Sequence, residues 1–326
     1  MTTSDRAMTM DQMPVQLPAD ATTPAAARAR YFNSGNAFTR QLSAVPTTYF
    51  TREPALALDP ATPTGLIACD LSEALCCSYP ATTPFMLVRY ARIRNGEQLT
   101  TRFVASGSLW YVIAGSGTTA GDDETLAWAS GDIFLLPGGD MHRHRAGPDG
   151  AVLWLVSNEP QLAFEEIKAV EPGVAPTRMV HYPAGEIHRQ LDRIYEAAMG
   201  SAAAGFAIVF SSDAQINNRT ILPTLSADLS SLPAGQSQRP HRHNSVAVAL
   251  VIQGEGVYSM VGGMRRDWAP WMTAITPPGE VHSVHNEGKK LAMCLTAQDA
   301  GLHRYARTMG FAFAPPSNPG AARSAP

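Results

Sequence analysis

Gly235-Gln-Ser-Gln-Arg-Pro-His241-Arg-His243 is followed, after a Gly254-Glu-Gly256 turn, by Thr276-Pro-Pro-Gly279-Glu-Val-His282-Ser-Val-His285-Asn286. On an extended strand, residues two apart face the same side. His241 and His243 can therefore reach one ion while Arg242 points the other way. The Pro277-Pro-Gly279 turn then delivers a third imidazole, His282. Three convergent neutral imidazoles suit a divalent first-row metal. His285 has two readings, a base that contacts substrate or an ordinary surface histidine.

The chain repeats itself. Val112-Ile-Ala-Gly115-Ser-Gly117 matches Val251-Ile-Gln-Gly254-Glu-Gly256 at an offset of 139 (251 − 112), and Pro137-Gly-Gly139 matches Pro277-Pro-Gly279 at 140 (277 − 137). Val, Ile, Leu and aromatic runs broken by glycine turns read as antiparallel strands, so two similar all-β units are expected. The same offset places Gly96, Arg102, Val104 and His142 opposite Gly235, His241, His243 and His282. One imidazole cannot hold an ion, so the first unit reads as a metal-free partner. Arg102 is either part of a structural ion pair or an anion contact, and His142 and His144 read as polar residues at the rim.

Composition narrows the classes. The chain has 326 residues, 16% charged and 45% hydrophobic, with 26 Gly and 25 Pro, a turn-rich balance that suits short strands and not a helical bundle. The net charge of −3 has no long run of one sign, which argues against a nucleic-acid partner. The N-terminal residues contain no apolar signal core, and no stretch approaches the roughly 18 apolar residues of a membrane span. No membrane association and a cytoplasmic location are expected. Cys69, Cys76, Cys77 and Cys294 match neither a disulfide framework nor a zinc ribbon and read as reduced packing residues. Residues 1–30 read as a mobile arm and 315–326 as a tail. A helix is expected at about 185–199, with Ile187, Leu191, Ile194, Tyr195 and Ala198 on one face and a stop at Gly200.

The two histidine stretches resemble the cupin motifs GX5HXH and PXGXXHXXXN in spacing and residue type. The resemblance implies an all-β bicupin: two double-stranded β-helix (jelly-roll) barrels, with the metal in a barrel mouth. The expected division is a 1–30 arm, a metal-free N-terminal barrel at 31–165, a 166–205 linker with the helix, a metal-binding C-terminal barrel at 206–314 and the tail. The family's common metal site adds a glutamate four or five residues after the second histidine. Here Asn244-Ser-Val-Ala-Val248 has no carboxylate. That implies a three-histidine site with positions open for substrate and oxygen.

An all-histidine bicupin with a Pro-His-Arg-His run is similar to the gentisate, salicylate, 5-nitrosalicylate and 1-hydroxy-2-naphthoate 1,2-dioxygenases. The similarity implies Fe(II), O2 and an aromatic hydroxy-acid opened between the carbons bearing carboxyl and hydroxyl. Neutral imidazoles would leave such a site dipositive and receptive to an anionic bidentate substrate. The sequence departs from the pattern in placing the ligands in the second unit, and in having Ala249 and Gln253 where the family has Arg and Glu. Arg239, of the same strand parity as His241, is the first candidate to grip the substrate; its other reading is a solvated rim arginine. Gln253 can bond a ring substituent or satisfy the turn backbone. Trp110, Tyr258, Trp268 and Trp271 can wall an aromatic pocket or simply pack in a core. Exposed sheet edges imply a homo-oligomer, a dimer or tetramer. The competing readings are a β-diketone or flavonol dioxygenase, a non-redox metal reaction, and a non-catalytic bicupin that binds a ligand.

Overall fold

The computed structural model describes residues 9–38, 41–168, 171–198 and 205–315. The chain divides into two compact units, Met1–Ala44 and Val45–Pro326. Within the first, helix Pro24–Ala27 is capped by the Thr23 hydroxyl, which accepts from the Ala26 amide, and Gln16 and Tyr31 exchange backbone hydrogen bonds. The second unit carries both repeats, and the all-β expectation is borne out there.

The first repeat forms a single sheet in the order Gly65–Ala68, Leu87–Ile93, His142–Ser157, Gly107–Ala120, Ile133–Pro137, Val180–Tyr182. Strands Gln98–Thr101 and Thr125–Ala129 pair with the two longest members. The expected Gly115-Ser-Gly117 turn does not interrupt its strand. Gly107–Ala120 continues through it with register shifts at Val112/Ala114 and Gly115/Gly117. At Gly115 φ is +85°, and an added Cβ would lie 2.1 Å from the Gly150 carbonyl oxygen, so only glycine allows the bend.

In the second repeat the corresponding Gly254-Glu-Gly256 does break the strand. Two sheets result. One runs Tyr49–Phe50, Thr273–Thr276, Ala247–Gln253, Ala292–Gln298, Ser226–Leu232, Phe206–Phe210. The other runs Met264–Asp267, Val257–Val261, His282–Asn286, His241–His243, Phe311–Phe313. Tyr49–Phe50 thus precedes the whole first repeat in sequence yet pairs with Thr273–Ala274 of the second.

Packing separates the two repeats in character. Phe103, Trp110, Phe134 and Trp128 lie in a stacked series with Val112, Leu136, Leu153 and Leu155, so apolar side chains fill the first interior. His142, at the start of its strand, borders an open cavity, whereas His144 is buried rather than at a rim. They are 3% and 0% exposed, because Gln98–Thr101 pairs along their strand and His144 lies 4.5 Å from the Trp110 ring. Thr101 and Thr119 hydroxyls, each at 2.9 Å, take the two nitrogens of His144. Among the described residues the second interior has a small apolar cluster, Leu232, Val257 and Ala292 with Trp268 and Val284 against it.

A further apolar cluster joins the repeats, including Leu109, Trp154 and Val156 from the first and Leu229, Leu250, Ile275 and Leu295 from the second. One polar knot sits within it. The Tyr90 hydroxyl donates to the Trp271 carbonyl, Thr273 Oγ1 lies 2.7 Å from the same hydroxyl, and Trp154 Nε1 donates to Thr273 Oγ1 at 2.9 Å. Helix Ala184–Ala197 matches the expected span, and Ile187 and Leu191 are its buried residues. Its proposed stop, Gly200, and all of 315–326 except Pro315 lie outside the described residues. No helix among the described residues is long and apolar enough to cross a membrane.

Two outcomes are expected. Thr273→Val, which strips the acceptor from the buried Trp154 N–H, lowers stability by about 1–3 kcal/mol in urea titrations without changing the slope. Burial depresses His144 to a pKa of about 3 from the usual 6.5, so the unfolded chain binds the proton more readily. Its stabilising contribution is complete above pH 6.5 and is lost towards pH 3, at no more than about 1.4 kcal/mol per pH unit. His144→Gln should therefore lose less stability than the parent between pH 7 and pH 5.

Candidate metal centre and cavity

The second repeat brings His241, His243 and His282 together, with one ligand atom from each lying within 4.8 Å of the others. His241 and His282 are cross-strand partners with ring centroids 4.3 Å apart, and the His243 and His282 rings are 4.7 Å apart. The local sequence explains the convergence. Gly279, at φ +79°, turns the chain ahead of His282, and its amide donates to the His243 carbonyl at 2.7 Å, tying turn to ligand strand. Gly235, at φ +73°, donates to the Asn286 carbonyl at 2.8 Å. The Asn286 side chain donates to the Leu232 and Lys290 carbonyls and accepts from the Gly288 amide. The motif's two glycines and its asparagine thus hold the ends of the ligand strands in register.

The tautomers follow from the same backbone. His241 Nδ1 lies 3.0 Å from the Arg239 carbonyl, His243 Nδ1 is 2.9 Å from that of Ser245, and His282 Nδ1 is 2.9 Å from that of Glu280. A carbonyl only accepts, so each Nδ1 carries the proton and each Nε2 keeps its lone pair. Burial lowers the pKa of His243, helped by the neighbouring His241, and brings His282 to about 4. Neutral, pre-oriented imidazoles of this kind fit a divalent first-row metal. Among the described residues no carboxylate joins the set. Asn244, at the start of the window where the common glutamate would fall, instead accepts from the Gly310 amide and donates to the Thr308 carbonyl.

The triad borders a cavity of about 290 Å³. Ala247, Ala249, Ala274 and Thr276 keep one wall shallow, Tyr49 and Trp268 add aromatic surface, and Phe311 lies 5.3 Å from the His241 ring. Its charged border, the imidazoles aside, consists of Asp228 and Arg304. Sequence reasoning missed Tyr49, Asp228, Arg304 and Phe311, none of which belongs to a motif.

The other expected site residues lie elsewhere. Gln253 is exposed and donates to the Leu291 carbonyl at 2.6 Å, because the register shift between Val251 and Gln253 reverses the parity that would have turned it inward. Arg239 is exposed outside the cavity border, its guanidinium 4.3 Å from the centre of the Phe313 ring. His285 stacks on Tyr258 at 4.7 Å, with its two nitrogens on the Ser237 and Ser283 hydroxyls. Arg102 donates to the Gly139 carbonyl at 2.8 Å and braces the first repeat's turn. Trp110 is fully buried in the filled interior, and Trp271 packs near Tyr111.

Comparisons with known proteins agree with this geometry. The cupin domain family matches residues 228–297, and the AraC-like ligand binding domain family matches 101–209. A 5-aminosalicylate 1,2-dioxygenase of Comamonas sp is 30% identical over 95 residues, which are 29% of this chain and 25% of that protein. The chain therefore matches about a quarter of that relative's length. Salicylate 1,2-dioxygenase from Pseudaminobacter salicylatoxidans superposes at a TM-score of 0.70 with 14% identity, over 84% of this chain and 89% of that one. Its adduct with gentisate gives 0.70 and 15%, over 84% and 86%. At such identities the likeness establishes the fold, and the fold is that of a bicupin.

The three imidazoles should act as one unit towards metal. His241→Ala is expected to lose bound metal, read by elemental analysis after dialysis against a divalent ion, while its circular dichroism matches the parent. Full retention of metal by the variant would refute the site.

Proposed function

We propose that the chain is a ring-cleaving dioxygenase that opens ortho-hydroxy aromatic acids between the carboxyl- and hydroxyl-bearing carbons, incorporating both atoms of O2. The single observation that carries this reading is a carboxylate-free imidazole triad sharing one cavity with a guanidinium and aromatic walls. His241, His243 and His282 would hold Fe(II), which when bound supplies Lewis acidity and the electrons for oxygen chemistry. The sequence shared with a 5-aminosalicylate enzyme and the fold shared with a salicylate enzyme support the same substrate class. Salicylate and its 5-substituted forms, gentisate and 5-nitrosalicylate among them, are the candidates.

The chain's own residues then have definite tasks. The imidazoles bring no negative charge, so the centre favours an anionic substrate that offers two oxygens. Arg304, on helix Ala300–Ala306, is the one guanidinium at the cavity among the described residues; its Nη1 donates to the Arg219 carbonyl at 3.3 Å, and its remaining N–H groups take the substrate carboxylate. Tyr49, Trp268 and Phe311 supply flat apolar surface for the ring. Ala247, Ala249 and Ala274 leave it room. The filled 31–165 barrel serves as a metal-free packing partner of the 206–314 barrel. A cytoplasmic homo-oligomer, dimer or tetramer, completes the proposal.

A ligand-binding role without chemistry has one observation in its favour, the AraC-like match over 101–209. The stacked rings that occupy the interior of that repeat weigh against it. Oxygen uptake separates the two. Anaerobically Fe(II)-loaded protein given a panel of hydroxybenzoates is expected to consume one O2 per ring opened. Arg304→Gln should raise KM for these acids by about tenfold or more, since a charge-assisted hydrogen bond is lost. Bound acid with no oxygen consumed across the panel would establish the binding role instead.

A further inference from the structure

Asp228 is the single carboxylate at the border of the cavity. Its strand, Ser226–Leu232, belongs to the six-stranded sheet, and cross-strand pairing sets Asp228 in a row with Thr296, Ala249 and Ala274. Thr296 stands next to the carboxylate, and the two alanines beyond it keep the rest of that row shallow where it lines the cavity. The neighbouring row, Ser230, Cys294 and Val251, supplies one partner: the Ser230 hydroxyl donates to Asp228 Oδ1 at 2.6 Å. Among the described residues no donor hydrogen-bonds Oδ2, and Arg304 is not within ion-pair distance of it. The Cys294 thiol, pushed up to about 12 by burial, stays neutral and adds no charge. Asp228 is half-buried and borders the cavity, so a ligand there can supply the donor that the protein does not.

The metal-binding imidazoles sit on the five-stranded sheet and Asp228 on the six-stranded one. Facing sheets stand about 10 Å apart, room for one aromatic ring held at its carboxyl and hydroxyl on one side and hydrogen-bonded at its far edge on the other. Burial raises the Asp228 pKa to about 6, against the lowering effects of Ser230 and Arg304, so the group is mainly an ionised acceptor at pH 7.5.

We propose, on the ring-cleavage reading above, that Asp228 selects the ring substituent, accepting a hydrogen bond from an amino or hydroxyl group at the edge opposite the metal-binding oxygens. A nitro group or halogen in that place offers no proton and leaves the carboxylate unpaired. Selection of this kind works by rejection, because a site built to bond a donor disfavours the analogue that lacks one.

Anaerobic calorimetry on the full-length Fe(II) protein tests this with 5-amino-, 5-hydroxy- and 5-chlorosalicylate, each affinity divided by that for salicylate. The wild-type protein should favour the amino and hydroxy acids over the chloro acid by about tenfold or more. Asp228→Ala, which removes the acceptor, should bring that ratio towards one, with a circular dichroism spectrum like the parent's. Equal affinities in the wild-type protein would overturn the assignment without recourse to any variant. An unchanged ratio in folded Asp228→Ala would overturn it as well. Tight binding of the chloro acid with the donors excluded would likewise sink it while leaving the ring-cleavage reading intact. Failure of the wild-type protein to bind any of these acids would remove that reading and the assignment together.

Discussion

Three backbone carbonyls, those of Arg239, Ser245 and Glu280, each hold an imidazole by its Nδ1–H, and the rest of the site depends on that constraint. An unrestrained histidine has two tautomers and a rotating ring. A ligand set made from such rings would lose entropy and proton each time it closed on a metal. Here the backbone has already fixed both. The requirement reaches into the sequence: a carbonyl two residues from each ring must face it, so the ligand strands must end at fixed points. Gly235, Gly279 and Asn286 set those points through the turns and hydrogen bonds that surround the triad.

The two repeats share a strand plan and use their interiors in opposite ways. In the first, Trp110, Trp128 and Phe134 fill the space, and a buried neutral His144 is satisfied by threonines. In the second, alanines and polar side chains line the space and a cavity remains. An apolar void costs roughly 24 cal/mol per Å³, so a hollow barrel is stable only with polar lining or with support from outside. The apolar cluster that runs between the repeats, with the Thr273 knot inside it, supplies that support. A filled barrel without ligands therefore still has a task, as the firm surface against which the hollow one is built.

How far the sequence was legible depends on how local each determinant is. Strand parity and a turn were enough to bring His241, His243 and His282 together, because those residues are linked by short stretches of chain. The parity rule failed for Gln253, where a register shift just before the strand's last residue turns its side chain outward. It failed in another way for His144, whose burial is decided by Gln98–Thr101 pairing across the sheet. Tyr49 was out of reach, since it pairs with Ala274 more than half the chain away. Arg304 was equally out of reach, for it arrives on a helix after the last motif. Residues that hold a metal carry a pattern that can be read, whereas residues that shape a cavity wall are defined only by pairing.

That division bears on charge. Three neutral imidazoles leave the positive charge of a bound divalent ion uncancelled by the protein, and the cavity's one guanidinium adds to it. A lone carboxylate on the opposite sheet cannot neutralise both, so the balance is left for an anionic ligand to complete. A ligand glutamate in the Asn244–Val248 window would have satisfied that balance within the protein and weakened the attraction for an acid. The missing carboxylate beside the imidazoles and the solitary one across the cavity then have one electrostatic logic. The first leaves a deficit that draws in an anion, and the second presents a fixed acceptor to its far edge.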